Sequence, residues 1–535
     1  MNNQAQSLTL EMVKALSVTQ SQGEREFPNV LHQIMAREDY FRAHPENVWL
    51  EPIPNDPFER SNLMAVVRGQ GSSTVVLTGH YDVVSIANYG ALEPWACDPE
   101  TLRVKLIEDL RLNARSDAEK RALTDLESGE FLPGRGVLDM KSGLAAGLVA
   151  LYRFAQLEHR VGNLIFLAVA DEEVQSHGAR AATKQLQTLA LKHQLEIEAV
   201  INLDSTSDQG DGSDGRALYY GSVGKLLVSM YVAGIDTHAG YPFEGINPNY
   251  LLSSITNRIE CNPILADHAH GEAAPPPTSL KQTDLKTHYD VTTPARAWAC
   301  FNVLTHGKAP TQVLQEFGTE VQIALGEALT TLQARAKIWG IETANALLVK
   351  PFALSFEELC DKARDRLGET FDQNLSTFIA NLEPQLDVPT ASLRITDFVW
   401  SQSELIGPAV VLGFGSLHYP AVLLETGTVK TLVQQALLVA AKEQGIFVKE
   451  RHFFAGISDM SWFGSAQTTN LEFINRNTPA PQAHILNAPL NVPTINLGPW
   501  GRDYHQWLER VHVKYTFEHL PELLWQISQK ILQHQ

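Results

Sequence analysis

The chain has 535 residues and a formal net charge of -19, with 44% hydrophobic and 19% charged residues. This length exceeds one ordinary hydrophobic core, so we expect a globular protein with two or more domains. The acidic balance argues against nucleic acid and against anionic membranes as partners, because both require basic surfaces. The four cysteines form no CxxC or zinc-ribbon spacing, so no disulfide framework is predicted.

Neither a signal segment nor a membrane-spanning segment is predicted from the sequence. Residues 1–22 are polar and amphipathic, without an apolar core or a cleavage site. No uninterrupted apolar run reaches the roughly 20 residues that a membrane-spanning helix needs. We therefore expect a cytoplasmic protein.

Helical and strand-like segments alternate over the first 200 or so residues, which is typical of α/β proteins. The predicted elements are helices over 8–18, 28–36 and 141–154 and strands over 63–67, 74–78, 164–170 and 199–203. Residues 84–133 are irregular and charged, and they read as an insertion in a connecting loop with one helix over 111–121.

The pattern changes near Gly221, where residues 225–233 alternate as a half-buried antiparallel strand does. The later predicted elements are helices over 249–260, 310–335 and 429–444, a Pro- and Ala-rich loop over 271–280, and strands over 410–414, 447–452 and 494–497. We expect the last two strands to return to the first sheet. The predicted organisation is a catalytic domain in two parts, 1–222 and 427–535, interrupted by a domain at 223–426.

Polar side chains stand where three buried apolar runs end. They are His80 and Asp82 after the first run, Glu172 and Glu173 after the second, and Asp204 after the third. Short apolar runs suit strands of a parallel sheet, and ligands bind at the carboxyl ends of such strands. Carboxylates gathered at one edge would be costly without cations, so the sequence predicts a two-metal site.

Asp139 and the neighbours of His80 fit the same site. Asp139 precedes a helix, so its carboxylate is expected to bridge two cations, to cap the helix, or to do both. The side chains of His80 and Asp82 diverge, so we expect Asp82 to fix the ring orientation and tautomer of His80.

Glu172 and Glu173 are expected to divide their roles. Adjacent residues on an extended strand tip point to opposite sides, so one can bind metal while the other faces the substrate. The competing interpretation is a solvated strand end. A late histidine, His505, follows Gly498-Pro499 in the last segment.

Taken together, the motifs resemble the M20 metallopeptidase family, which includes dizinc carboxypeptidases, aminoacylases and succinyl-diaminopimelate desuccinylases. The matching stretches occur in family order: Gly79-His80-Tyr81-Asp82, 134–136 through 139–143, Asp171-Glu172-Glu173, Asp204, Thr237-His238-Ala239-Gly240, Ser458-Asp459, and Gly498-Pro499 through His505. Residues 40–49 and 456–461 resemble the arginine-utilisation, RocB-like branch of that family.

The resemblance implies a phosphorylase/hydrolase-like α/β fold. It would have a mixed, mainly parallel sheet with helices on both faces, plus an inserted α+β lid and dimerisation domain. It also implies two divalent metal ions, with Zn²⁺ as the first choice and Mn²⁺ or Co²⁺ as alternatives, and no organic cofactor. By analogy, His80 and Asp204 bind one ion, Glu173 and His505 bind the other, and Asp139 bridges them.

The activity implied is hydrolysis of a peptide or N-acyl amide bond in a small amino-acid derivative or short peptide. A metal-bridged water would be the nucleophile and Glu172 the general base. In the similar family, His238 of the lid reaches the active site of the partner in a homodimer. The alternatives are an aminopeptidase for short peptides and a catalytically silent binding or regulatory protein of arginine catabolism.

The sequence departs from the family pattern on one lid strand. The family usually carries Asp-x-Arg there, whereas this chain has Asn302-Val303-Leu304 and so lacks the arginine. Glu509 does occupy the family's usual glutamate position four residues after His505. Because the arginine is missing, the family resemblance predicts the type of reaction but not the identity of the substrate.

Overall fold

The structure is a computed structural model that describes residues 2–383, 386–466 and 470–534. The chain divides into two compact units. The first comprises Met1–Ser222, Val422–Ala466 and Pro489–Gln535, and the second comprises Val223–Ala421 and Gln467–Ala488. None of the helices in the described ranges combines the length and the apolar character that crossing a bilayer requires.

The first unit is built on a nine-stranded sheet. Its strands, in spatial order, are Val48–Pro52, Ser61–Val67, Val161–Val169, Gln70–His80, Glu196–Asn202, Thr494–Asn496, Ala217–Ser222 and Val422–Leu423, with Lys449–Phe454 also paired to Ala217–Ser222. A second sheet has the order Phe131–Pro133, Arg510–His512, Trp500–Arg502 and Thr206–Ser207.

The centre of the main sheet is parallel and buried. Gln70–His80 pairs in parallel with Val161–Val169 on one side and with Glu196–Asn202 on the other. Antiparallel pairs lie toward the edges, although Lys449–Phe454 pairs there in parallel, so the sheet is mixed. The apolar runs of the sequence are buried here because helices and loops cover the central strands. The predicted α/β fold class is confirmed.

Helices complete the first unit. They are Asn2–Lys14, Gln22–Met35, Asp39–Ala43, Pro99–Asn113, Asp117–Ser128, Lys141–Ala155, His177–His193, Thr428–Gln444, Met460–Phe463 and Leu520–Leu532, with 3-10 turns at Pro45–Asn47 and Ala87–Trp95 and a π-helical turn at Tyr515–His519. Lys141–Ala155 lies close against the sheet because of its glycines. A Cβ on Gly143 would be 2.2 Å from the carbonyl oxygen of Leu203.

The second unit has a five-stranded sheet, in the order Thr278–Asp284, Arg296–Thr305, Gly224–Ala233, Ala409–Phe414 and Phe352–Ser355. A small hairpin pairs His268–Ala269 with Glu272–Ala273. The helices and 3-10 turns of this unit are Pro248–Ile259, Pro263–Leu265, Pro310–Ile338, Asn345–Leu348, Phe356–Leu367, Glu369–Ala380, Val388–Ser403, Leu471–Arg476 and Pro481–Ala483.

Two local predictions are wrong. The single helix expected over 111–121 is replaced by Pro99–Asn113 and Asp117–Ser128. The two helices are separate because the Ser116 hydroxyl and the Glu119 carboxylate form a reciprocal capping box, which starts a new helix. The loop expected over 271–280 contains the strand Glu272–Ala273 and the beginning of Thr278–Asp284.

The later part of the chain contributes to both units. Lys449–Phe454 and Thr494–Asn496 join the main sheet of the first unit, as expected. Helix Leu471–Arg476 belongs instead to the second unit, where Ile474 is buried in the same apolar cluster as Phe414. This helix lies inside residues 427–535, which the sequence places in the catalytic domain.

Candidate metal centre

His80 ends the central strand of the main sheet and is only 2% exposed. Its Nδ1 lies 2.9 Å from the main-chain carbonyl oxygen of Asp82, so Nδ1 carries the proton and donates it there. Nε2 is therefore the atom available to a metal. It lies 3.1 Å from Asp139 Oδ1 and 3.8 Å from Asp204 Oδ1.

The carboxylate of Asp82 holds the two glutamates. Its Oδ1 accepts the main-chain N–H of Glu172 and its Oδ2 accepts that of Glu173, both at 3.2 Å. Its distance from His80 Nδ1 is 3.6 Å, so the carbonyl rather than the carboxylate is the closer partner of the ring. The expectation of an extended tip is wrong, because residues 172–175 form a turn that follows Asp171 at φ +68°.

Asp139 lies between two histidines. Its Oδ1 is 3.1 Å from His80 Nε2, and its Oδ2 is 3.1 Å from His505 Nε2. The alternative role as a helix cap is not observed, because the helix begins at Lys141 with Met140 as its N-cap. Each carboxylate oxygen of Asp139 thus faces a different imidazole.

His505 lies on the loop between strands Trp500–Arg502 and Arg510–His512. Its Nε2 is 3.2 Å from Glu173 Oε1, and its side chain is 42% exposed. Glu509, four residues later, is buried and accepts the main-chain N–H groups of Gly136, Leu138 and Asp139. Burial raises the pKa of Glu509 to about 7, although Arg135 pairs with it and opposes the rise.

The structure brings all the predicted metal ligands together. Groups whose ligand atoms lie within 4.8 Å of one another are His80 with Asp139 and Asp204, Asp139 with Glu173 and His505, and His80 with Glu172 and Glu173. The first two groups share Asp139. A set of imidazole nitrogens and carboxylate oxygens suits Zn²⁺ and also Mn²⁺ or Co²⁺.

The electrostatics of the site fit bound cations. Burial raises the pKa of Glu172, Glu173 and Asp204, and neighbouring carboxylates raise each of them further. Burial alone would lower the pKa of His80, but the surrounding carboxylates raise it well above its usual value. Negative charge is therefore crowded at a buried edge, and divalent cations would relieve that crowding.

Asp459 belongs to the same buried region. It follows the main-sheet strand Lys449–Phe454 and is 2% exposed. Burial raises its pKa to about 7, while the Ser176 hydroxyl and His80 oppose the rise. Its charge contributes to the raised pKa of Glu172, so the Ser458-Asp459 motif lies near the predicted general base.

A buried ion network behind the glutamates was not predicted from the sequence. Arg60 donates to Glu24 at 3.0 Å, to Asp56 at 2.7 Å and to Asp171 at 2.6 Å, and all four side chains are fully buried. Asp171 directly precedes Glu172, so the network fixes the start of the turn. Glu24 stands three residues after the N-cap Ser21, and this spacing predicts a helix cap rather than a buried ion pair. No motif marks Arg60.

Two predicted residues belong to the second unit, whereas all the metal candidates belong to the first. His238 is exposed, and its Nδ1 accepts the N–H of Gly240 at 3.0 Å. Its Nε2 therefore carries the proton in the neutral ring and can donate. Leu304 is half-buried and lies directly opposite Lys225 in the antiparallel pair of strands.

Two groups of histidine and carboxylate ligands sharing one aspartate, at the carboxyl edge of an α/β sheet, are typical of metal-dependent hydrolases. The comparisons with known proteins agree with this class. Residues 76–495 match the model of peptidase family M20/M25/M40.

Similar proteins cover nearly the whole chain. YqjN of Bacillus subtilis is 32% identical over 97% of this chain and 94% of its own length. Protein RocB of the same organism is 30% identical over 99% of this chain and 95% of its own length. The M20 family metallo-carboxypeptidase Sso-CP2 of Sulfolobus solfataricus has the same fold, with a TM-score of 0.52, 12% identity and 99% of each chain covered. The chain belongs to peptidase family M20/M25/M40 and is an enzyme.

Proposed function

We propose that the chain is a dinuclear metal-dependent hydrolase that cleaves a peptide or N-acyl amide bond in a small amino-acid derivative. The observation that carries this proposal is the sharing of Asp139 between two ligand groups, one with His80 and the other with His505. His80 and Asp204 would hold one cation, and Glu173 and His505 would hold the other. Zn²⁺ is the first choice and Mn²⁺ or Co²⁺ the alternatives.

Two bound cations would lower the pKa of a water molecule and polarise the carbonyl oxygen of the substrate. The carboxylate of Glu172 would take a proton from that water as the water oxygen bonds to the carbonyl carbon. Glu172 would then give the proton to the amide nitrogen as the C–N bond breaks, which releases an acid and an amine.

Glu172 is the best candidate for this proton transfer because it stands outside both ligand groups that share Asp139. Its Oε2 is 4.0 Å from His80 Nε2, whereas Glu173 Oε1 is 3.2 Å from His505 Nε2. Burial and neighbouring carboxylates raise the pKa of Glu172, which makes it a stronger base than an exposed glutamate.

His238 is proposed to donate to the oxyanion that forms on the substrate. Its hydrogen bond from Gly240 leaves the proton on Nε2, the tautomer that a donor needs. By analogy with the family, we propose that it acts on the partner's active site within a homodimer formed through the second unit. Leu304 cannot pair with a substrate carboxylate as arginine does, so substrate selection is expected to differ from that of relatives with the arginine.

A substrate screen tests the proposed activity. The Zn²⁺-loaded protein is assayed against N-acyl amino acids and against dipeptides with a free amino group, with the chelator-treated protein as the control. We expect metal-dependent release of an amine from one of the acylated compounds. Turnover confined to the dipeptides would favour the aminopeptidase alternative, and no metal-dependent turnover of either class would contradict the proposal.

A further inference from the structure

The loop that carries His505 has an unfavourable backbone conformation. Asp503 and His505 have φ values of +55° and +63°, in the left-handed region that residues with a side chain rarely adopt. Such conformations persist only where the surrounding structure enforces them. Contacts from the insertion at residues 84–133 help to enforce this one, together with Gln209, which donates to Asp503 at 2.8 Å.

A buried ion network ties this insertion to both ends of the loop. Asp125, in helix Asp117–Ser128, accepts hydrogen bonds from Arg502 at 2.7 Å and from Arg510 at 2.7 Å. Arg510 also donates to Asp503 at 2.6 Å and is fully buried. Arg502 is the last residue of one flanking strand and Arg510 is the first residue of the other, and the two face each other in the antiparallel pair. One carboxylate therefore binds both ends of the loop.

The apolar core of the insertion includes part of the same loop. Leu508 is 4% exposed and belongs to a cluster that otherwise consists of residues of the insertion: Tyr89, Ala96, Leu102, Leu106, Leu110, Ala122 and Leu126. Trp507 packs against this cluster. The helices of the insertion therefore bury Leu508, three residues after His505.

Asn88 contacts His505 itself. Its Nδ2 donates to the main-chain carbonyl oxygen of His505 at 2.8 Å, and its Oδ1 accepts from Arg135 at 3.0 Å. Arg135 also donates to the same carbonyl oxygen at 3.3 Å and pairs with Glu509. Because Glu509 binds the main-chain N–H groups around Asp139, these contacts connect the positions of the two ligands of one proposed ion.

We propose that the insertion acts as a brace that holds His505 in its ligand position before any metal binds, with Asn88 and Asp125 as positioning residues. This inference rests on the proposed function, because it assigns the insertion to the half of the site formed by Asp139, Glu173 and His505. The other half shares Asp139, but its two remaining ligands, His80 and Asp204, follow strands of the main sheet, so we expect it to depend less on the brace.

The first test uses Asn88, because it is exposed and its replacement leaves the buried core intact. Asn88→Asp keeps the acceptor for Arg135 and removes the donor to His505, and Asn88→Ala removes both. Asn113→Ala is the matched control: it is an exposed asparagine of the same insertion, whose amide donates to Asp109 one helical turn earlier. Asp125→Asn is a second variant that weakens the ion network.

Two measurements are made on each variant. Hydrogen exchange of the metal-free protein measures how fast the backbone amides of residues 503–509 exchange. Titration with Zn²⁺ measures the affinity for each ion. We expect faster exchange over 503–509 and about tenfold weaker binding of one ion, with a smaller effect on the other ion, in the Asn88 and Asp125 variants. The Asn113 variant should match the wild type in both measurements.

The outcomes separate the brace from the function. Unchanged exchange in the Asn88 variants overturns the brace, and so does faster exchange with both ions bound as tightly as in the wild type. Equal weakening of both ions also overturns it, because the effect would then be general. Failure of the wild type to bind Zn²⁺, Mn²⁺ or Co²⁺ would instead contradict the proposed function, and the exchange data would still decide whether the insertion holds the loop.

Discussion

The carboxylate oxygens of Asp139 each lie 3.1 Å from an imidazole nitrogen, one of His80 and one of His505. Burial would raise the pKa of Asp139, but these two histidines lower it below its usual value. Asp139 is therefore ionised and presents one oxygen to each half of the site. Glu173 also falls in one group with His80 and in another with His505, and its Oε1 lies 3.2 Å from His505 Nε2.

Replacing Glu172 tests the division of roles between the two glutamates. We expect Glu172→Gln to lower kcat by about two to four orders of magnitude while both ions remain bound, because it removes a general base and no ligand. Glu173→Gln is the matched control and should lose one ion. Activity assays and elemental analysis of both variants check this. Loss of metal in Glu172→Gln but not in Glu173→Gln would show that the two roles are reversed.

Arg60 is predicted to be important for stability. Arg60→Leu leaves the carboxylates of Glu24, Asp56 and Asp171 buried without their cation, which should cost about 3–5 kcal/mol in the free energy of unfolding. Arg25→Ala is the control, because its ion pair with Glu59 is exposed and should be worth no more than about 1 kcal/mol. Urea unfolding measures both. Equal effects of the two replacements would contradict the structural role given to the buried network.

The sequence predicts best the helices and strands whose signal is local. The apolar runs before His80, Glu172 and Asp204 are central strands, and the small-residue segment after Asp139 is a closely packed helix. Where two local signals favour different structures, the sequence does not show which of them prevails. The capping box at Ser116 divides a segment that helical periodicity alone would continue.

The ligands of the site could be predicted because each follows a strand or a recognisable motif. Their supports could not, because those contacts join residues far apart in the chain. Arg60 and Asp171 are 111 positions apart, and Asn88 and His505 are 417 apart. The turn at Glu172 and Glu173 was likewise missed, since it depends on the Asp82 carboxylate rather than on local sequence.

The second unit contains a histidine that should make its stability depend on pH. His418 is buried, its Nδ1 lies 3.1 Å from the carbonyl oxygen of Lys225, and burial lowers its pKa from 6.5 to about 4. The unfolded chain therefore binds a proton at a higher pH than the folded chain does. The contribution to stability is complete above pH 6.5 and is lost as the pH falls to about 4, where the loss reaches about 3 kcal/mol.

His418→Asn checks this prediction, because asparagine keeps a donor near the same carbonyl but does not titrate. Thermal unfolding of the wild type and the variant is compared at neutral pH and at lower pH. The difference between the two proteins should shift in favour of the variant as the pH falls. A constant difference across that range would show that His418 does not carry the pH dependence.

The predicted catalytic base and the predicted oxyanion donor belong to different units of the chain. His238→Ala and Glu172→Gln are each expected to be inactive. If His238 acts on the partner's site, mixing the two variants after subunit exchange should restore activity, because each hybrid dimer then has one site with both groups. With exchange verified by mass spectrometry, continued inactivity would contradict action in trans.

We propose that each chain binds two divalent ions at ligand groups joined by Asp139. The most direct measurement is the number of Zn²⁺ ions bound per chain after reconstitution of the purified protein, determined by elemental analysis with Asp139→Asn as the comparison. We predict two ions for the wild type and weakened binding of both in the variant, because Asp139 contributes one oxygen to each group. A wild-type protein that retains one ion or none, or a variant that binds both ions as tightly as the wild type, would contradict this claim.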